Sequence, residues 1–61
     1  MNGKTIASSP TREGLIKLTN EYFMTTTCAI DFETGVVSNS KGQIGSVRAV
    51  KEKGRYKLKQ I

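Results

Sequence analysis

Few side chains in this sequence could do chemistry, and histidine is not among them. The chain has one cysteine, Cys28, and one closely spaced pair of carboxylates, Asp31 and Glu33. A serine or cysteine nucleophile needs a base to take its proton, and histidine is both the usual base and the commonest metal ligand. We therefore expect no enzymatic activity, no catalytic residue, no metal site and no cofactor.

The remaining reactive side chains fit structural roles better than catalytic ones. Cys28 falls on the apolar side of an alternating segment, so we interpret it as a small buried apolar residue. Asp31 and Glu33 lie two apart on one face of a predicted strand, where they could hold a cation or act as acid and base. Carboxylates on the solvated side of a hairpin are more common. The run S-K-G-Q-I-G at residues 40–45 lacks the spacing of a nucleotide-binding loop.

Positive charge is the most distinctive property of the sequence. Ten Lys and Arg residues against five Asp and Glu give a net charge of +5 in 61 residues. Alternation in the predicted C-terminal hairpin points several of these cations outward. The predicted contact residues are Arg48, Lys51, Lys53, Arg55, Lys57 and Lys59. A row of cations on one sheet face is typical of a surface that binds phosphate backbones, so we expect a nucleic-acid partner.

Two other interpretations of the basic face stay open. Lysine side chains on edge strands also prevent edge-to-edge aggregation, and the cations of this face could serve that purpose without binding any partner. The same face could also contact an acidic protein, which would make the chain a small protein-interaction or inhibitor protein. The predicted face has no outward aromatic residue, and this argues against stacking on single-stranded nucleic acid. A homodimer is also compatible with so short a chain, because a small domain has a small core.

The segment D-F-E-T-G-V-V-S-N-S-K-G, residues 31–42, resembles strand–turn–strand pieces in small β modules attached to phage homing endonucleases. The resemblance suggests a phage or mobile-element origin for the protein-interaction alternative. It assigns no site residue, because the histidines of the nuclease are absent from this chain.

Length and cysteine content indicate one small domain in a reducing compartment. A single cysteine excludes an intramolecular disulfide. No apolar run approaches the ~18 residues of a membrane span, and the N-terminus lacks the ~7–15-residue apolar core of a signal peptide. We therefore predict a single domain over residues 1–61, located in the cytoplasm and independent of membranes.

A helix over Ser9–Phe23 is the strongest local prediction. Ser9 followed by proline is a typical helix start, and apolar residues recur at helical spacing after it. The predicted buried stripe is Leu15, Leu18 and Tyr22, flanked by Ile16 and Phe23. Gly14 lies off this stripe and lowers the helix propensity by about 1 kcal/mol relative to alanine.

Short extended segments joined by turns follow the helix. We predict such segments at 28–33, 36–39, 43–50 and 55–61, with residues 5–7 as an additional strand. The connections are a two-residue turn at Thr34-Gly35, a turn at 40–42, a bulge at Gly45-Ser46 and a four-residue loop at 51–54. A loop of this length would place Arg48 opposite Lys57 across the predicted hairpin. The predicted fold is α+β: one N-terminal amphipathic helix packed on a three- or four-stranded antiparallel β-sheet, in the order β-α-β-β-β.

Overall fold

The protein has the predicted α+β fold, but its strands form two antiparallel sheets of three strands instead of one sheet. The computed structural model describes residues 3–61. The elements are β1 (Thr5–Ser9), α1 (Arg12–Phe23), β2 (Ala29–Ile30), β3 (Val37–Asn39), β4 (Gly42–Ile44), β5 (Val47–Glu52) and β6 (Arg55–Gln60). The strand orders are β1-β6-β5 and β2-β3-β4.

The helix begins at Arg12, two residues later than the predicted first helical residue, Pro10, because Thr11 and not Ser9 is its N-cap. Thr11 has extended backbone angles, and its Oγ1 accepts a hydrogen bond from Gly14 N at 3.0 Å. Ser9 is buried at the end of β1, where it pairs with Tyr56 of β6. Both residue types cap helices, and the strand pairing of Ser9 decides between them.

Gly14 allows the first turn of α1 to approach the end of β1 closely. A Cβ at this position would collide with Ser9 Oγ and would lie 2.9 Å from Thr11 Oγ1. Thr11 Oγ1 is the capping atom, so a side chain at position 14 would push against the cap itself. This close approach explains a glycine that helix propensity alone disfavours.

The buried face of α1 differs from the predicted stripe. Leu15 and Thr19 are fully buried and Phe23 packs against the core, whereas Tyr22 is 53% exposed and Leu18 is half-buried. Thr19 tolerates burial because its hydroxyl donates to the Leu15 carbonyl oxygen at 2.7 Å. The core joins the helix to both sheets through Leu15, Val37, Val47, Ala49 and Leu58.

The loop between β2 and β3 is longer than predicted. Ile30 pairs with Val37, so residues 31–36 form the connection and the predicted two-residue turn is wrong. Asp31 organises this loop: its carbonyl accepts from Gly35 N at 2.7 Å, and its Oδ1 accepts from the N–H two residues further on at 3.0 Å. An aspartate side chain bonded in this way forms an Asx turn, which replaces the last part of the predicted strand at 28–33.

The predicted bulge at Gly45-Ser46 is instead a turn at which the chain leaves one sheet and enters the other. Ile44 is the last residue of β4 and pairs with Val37. Val47 is the first residue of β5 and pairs with Gln60. Ile44 and Val47 are therefore three residues apart, instead of two, because they belong to different sheets.

Gly35 joins the second sheet to the edge of β5. Its carbonyl accepts from Ala49 N at 2.8 Å, and its φ of +81° lies in the region that favours glycine. A Cβ here would lie 2.6 Å from the Ala49 carbonyl oxygen and 2.7 Å from Arg48 Cγ. The glycine thus covers part of an edge strand through a contact that leaves no room for a side chain.

Candidate nucleic-acid interface

A two-residue turn connects β5 and β6, where a four-residue loop was predicted. Glu52 pairs with Arg55, which leaves Lys53 and Gly54 as the turn, with φ of 53° and 77°. Positive φ at both central positions is typical of a type I′ turn, whose twist matches that of a hairpin. The shorter turn shifts the register, so the predicted pairing of Arg48 with Lys57 is wrong and Arg48 lies opposite Lys59.

The outer face of the β1-β6-β5 sheet is the side away from the core, and it collects four of the six predicted contact residues. These are Arg48, Arg55, Lys57 and Lys59. Arg48 and Arg55 are exposed, while Lys57 and Lys59 are half-buried. Their neighbours Ala49 and Leu58 are buried on the opposite side. The alternation predicted from the sequence is confirmed for this hairpin.

The other two predicted contact residues do not lie on the outer face. Lys53 occupies the turn at the tip of the hairpin. Lys51 pairs with Tyr56, on the core side of the sheet, and its Nζ lies 5.5 Å from the centroid of the Tyr56 ring. The register shift is the reason, because a shorter turn makes Lys51 part of β5, where its side chain alternates away from Arg48.

Glu52 also lies on the outer face and pairs with two of its cations. Lys57 Nζ is 3.3 Å from Glu52 Oε1, and Lys59 Nζ is 2.9 Å from Oε2. The hydrogen bonds from Lys59 and Lys57 lower the pKa of Glu52. Glu52 was not predicted as part of this face, because the predicted four-residue loop removed it from the strand. Within residues 3–61, the two arginines of this face have no carboxylate within 4 Å, and Arg55 Nε donates to Ser8 Oγ at 3.0 Å.

We expect Glu52→Gln to reduce the acid sensitivity of the fold. The folded-state pKa of Glu52 lies below its unfolded value of about 4.3, so the ionised carboxylate stabilises the protein above that pH. This contribution is lost as the pH falls through the folded-state pKa. Melting temperatures measured by circular dichroism from neutral to acid pH should therefore differ most at neutral pH and converge in acid. A difference that stays constant across the series would contradict this role.

Tyr56 is the centre of a second group of polar contacts, on the core side of the same hairpin. Arg12 Nε donates to its hydroxyl at 3.3 Å, and this bond lowers the pKa of Tyr56. Arg12 Cζ lies 5.8 Å from the Tyr56 ring centroid and 5.7 Å from that of Phe32. The two rings meet edge to face at 5.1 Å. The role of Arg12 was not predictable from the sequence, since no local spacing relates it to a residue 44 positions away.

The other candidate residues have structural roles. Cys28 is buried as predicted, which raises the pKa of its thiol, and its N–H donates to Asn20 Oδ1 at 2.8 Å. Asp31 and Glu33 lie in the loop between β2 and β3 instead of on one strand face. Nowhere in residues 3–61 do three or more metal-binding side chains cluster. The one helix of this part of the chain is too short and too polar to cross a membrane.

The fold and this surface define a small α+β domain with a cationic sheet face. Comparison with protein-family models, curated proteins and solved structures gave no match.

Proposed function

We propose that this protein is a non-enzymatic binding module that contacts nucleic acid through the outer face of the β1-β6-β5 sheet. What supports this is the presence of Arg48, Arg55, Lys57 and Lys59 on one side of two paired strands. Arg48 lies directly opposite Lys59, and like charges opposite each other destabilise a sheet. A phosphate backbone bound across the two strands would relieve this repulsion and release its own counterions.

Arg48 and Arg55 are the principal contacts in this proposal. Both side chains are exposed, and neither has a carboxylate partner in the described part of the chain. A guanidinium group binds phosphate with two parallel hydrogen bonds. Arg55 keeps most of its donors free for a ligand, because its bond to Ser8 uses only Nε.

Lys57 and Lys59 are secondary contacts, because Glu52 already binds them. Their pairs with Glu52 are partly exposed, with 24–44% of each side chain accessible. Exposed ion pairs of this kind contribute little to stability, so phosphate can replace the carboxylate with little loss. Lys53 at the hairpin tip adds a further cation, and Lys51 contributes from the other side of the sheet.

A titration with duplex DNA at several salt concentrations tests the proposal. Each phosphate contact contributes about −0.9 to the slope of log K against log salt. Contacts from both arginines and one or two lysines predict a slope of about −2.7 to −3.6. Absence of binding at low salt, or an affinity that does not change with salt, would reject the function.

A protein partner with an acidic surface is the alternative, as for a small interaction or inhibitor protein. Glu52 favours it, because protein interfaces match charges of both signs and this carboxylate lies among the cations. A reducing location such as the cytoplasm fits either function, since the one cysteine is free. The mass of the protein in solution, alone and with DNA, would distinguish a monomer from a homodimer.

A further inference from the structure

The Glu52 carboxylate lies among the cations of the outer face instead of beside the residue opposite it. In register Glu52 pairs with Arg55, but that arginine donates to Ser8. The Glu52 oxygens instead bind Lys57 Nζ at 3.3 Å and Lys59 Nζ at 2.9 Å. These lysines lie two and four residues beyond Arg55 on β6. The Glu52 side chain therefore extends along the strands, toward the middle of the cationic surface.

The carboxylate marks a position that a phosphate group can also take. Each Glu52 oxygen accepts one hydrogen bond from a different lysine. The oxygens of a phosphate accept charge-assisted hydrogen bonds from the same kind of donor. Because 44% of the Glu52 side chain is accessible, a ligand can approach the pair of lysines from solvent. Carboxylate and phosphate would thus compete for the same two donors.

We infer, on the basis of the proposed function, that Glu52 is autoinhibitory: in the free protein its carboxylate occupies the place of a backbone phosphate. Arg48 and Arg55, which have no carboxylate within 4 Å in residues 3–61, make the first contacts with the nucleic acid. A phosphate then displaces Glu52 from the two lysines. Exposed ion pairs are weak, so Glu52 lowers the affinity without preventing binding.

Glu52→Gln tests this inference, with Glu21→Gln on the exposed side of α1 as its control. Each variant carries a charge of +5 + 1 = +6. The helix packs against the core side of the sheet, so the control changes the charge and leaves the two lysines paired. Affinity for a labelled DNA duplex at about 0.1 M salt should rise about threefold to tenfold in Glu52→Gln. It should rise less than about twofold in the control, because salt screens distant charges.

The same substitution is repeated in a Lys57→Gln, Lys59→Gln background, with a thermal melt of every variant to show that it is folded. If Glu52 acts by holding the lysines, most of its gain in affinity disappears when they are absent. An equal gain with and without the lysines would overturn the inference, since Glu52 would then act only as a negative charge. So would a gain no larger than that of Glu21→Gln.

Failure of this inference is distinguishable from failure of the proposed function. The outer-face function stands without autoinhibition if Glu52→Gln gives no gain but replacing Arg48 and Arg55 still weakens binding. If neither the wild-type protein nor Glu52→Gln binds duplex DNA at low salt, both are wrong.

Discussion

Alanine in place of Gly35 is expected to destabilise the protein by about 3 kcal/mol or more. Alanine in the left-handed region costs about 1–2 kcal/mol, and Gly35 has φ of +81°. Its new Cβ would also lie 2.6 Å from the Ala49 carbonyl oxygen. Relief requires the two sheets to separate here, which breaks the bond from Ala49 N to the Gly35 carbonyl, worth about 1 kcal/mol. The total free energy of unfolding of a domain of this size is only several kcal/mol.

Gly54→Ala is the matched control for this substitution. Gly54 has φ of +77°, almost the same as Gly35, but a Cβ there would meet nothing within 4 Å. It should therefore show only the conformational cost of about 1–2 kcal/mol. The difference between the two variants in urea unfolding measures the contact between the sheets. Equal destabilisation would mean that Gly35 does not join them.

Replacing Arg48 and Arg55 together with glutamine is expected to weaken duplex DNA binding by about tenfold or more at 0.1 M salt. Two phosphate contacts are lost, and each contributes about −0.9 to the salt slope. Both side chains are exposed, so the free energy of unfolding should change by less than about 1 kcal/mol. Removing Arg48 also removes its repulsion with Lys59. Fluorescence anisotropy with labelled duplex and a thermal melt measure the two effects.

The pair Lys17→Gln and Lys41→Gln controls for net charge. Each double variant carries a charge of +5 − 2 = +3, so long-range attraction to DNA falls equally in both. The control should retain most of the affinity if the outer face makes the contacts. An equal loss in the two double variants would mean that DNA responds to overall charge, and the assignment to this face would be wrong.

Alternation along the last two strands was sufficient to predict which residues face the core. Val47, Ala49 and Leu58 are buried, and Arg48 is exposed, because period-two patterning follows from strand geometry alone. The partner across the hairpin was not predictable in the same way, since register depends on turn length. Lysine rarely adopts the positive φ that Lys53 has here, so the sequence signal for a two-residue turn was weak.

Several of the other errors concern side-chain bonds or tertiary contacts. Thr19 is buried because its hydroxyl bonds to the helix backbone, an arrangement that polarity alone does not predict. The loop between β2 and β3 is joined to β5 through the contact between Gly35 and Ala49, and the group around Tyr56 includes Arg12 from a distant element. The last two contacts join segments far apart in the chain, beyond the reach of local patterns.

The most direct test of the central claim is an amide chemical-shift map of the isotope-labelled protein titrated with duplex DNA. We predict that the largest shifts occur at Arg48, Arg55, Lys57 and Lys59, and that Lys17 hardly moves. A map concentrated on the outer side of α1 or on the β2-β3-β4 sheet, or a spectrum that does not change with DNA at low salt, would contradict the account.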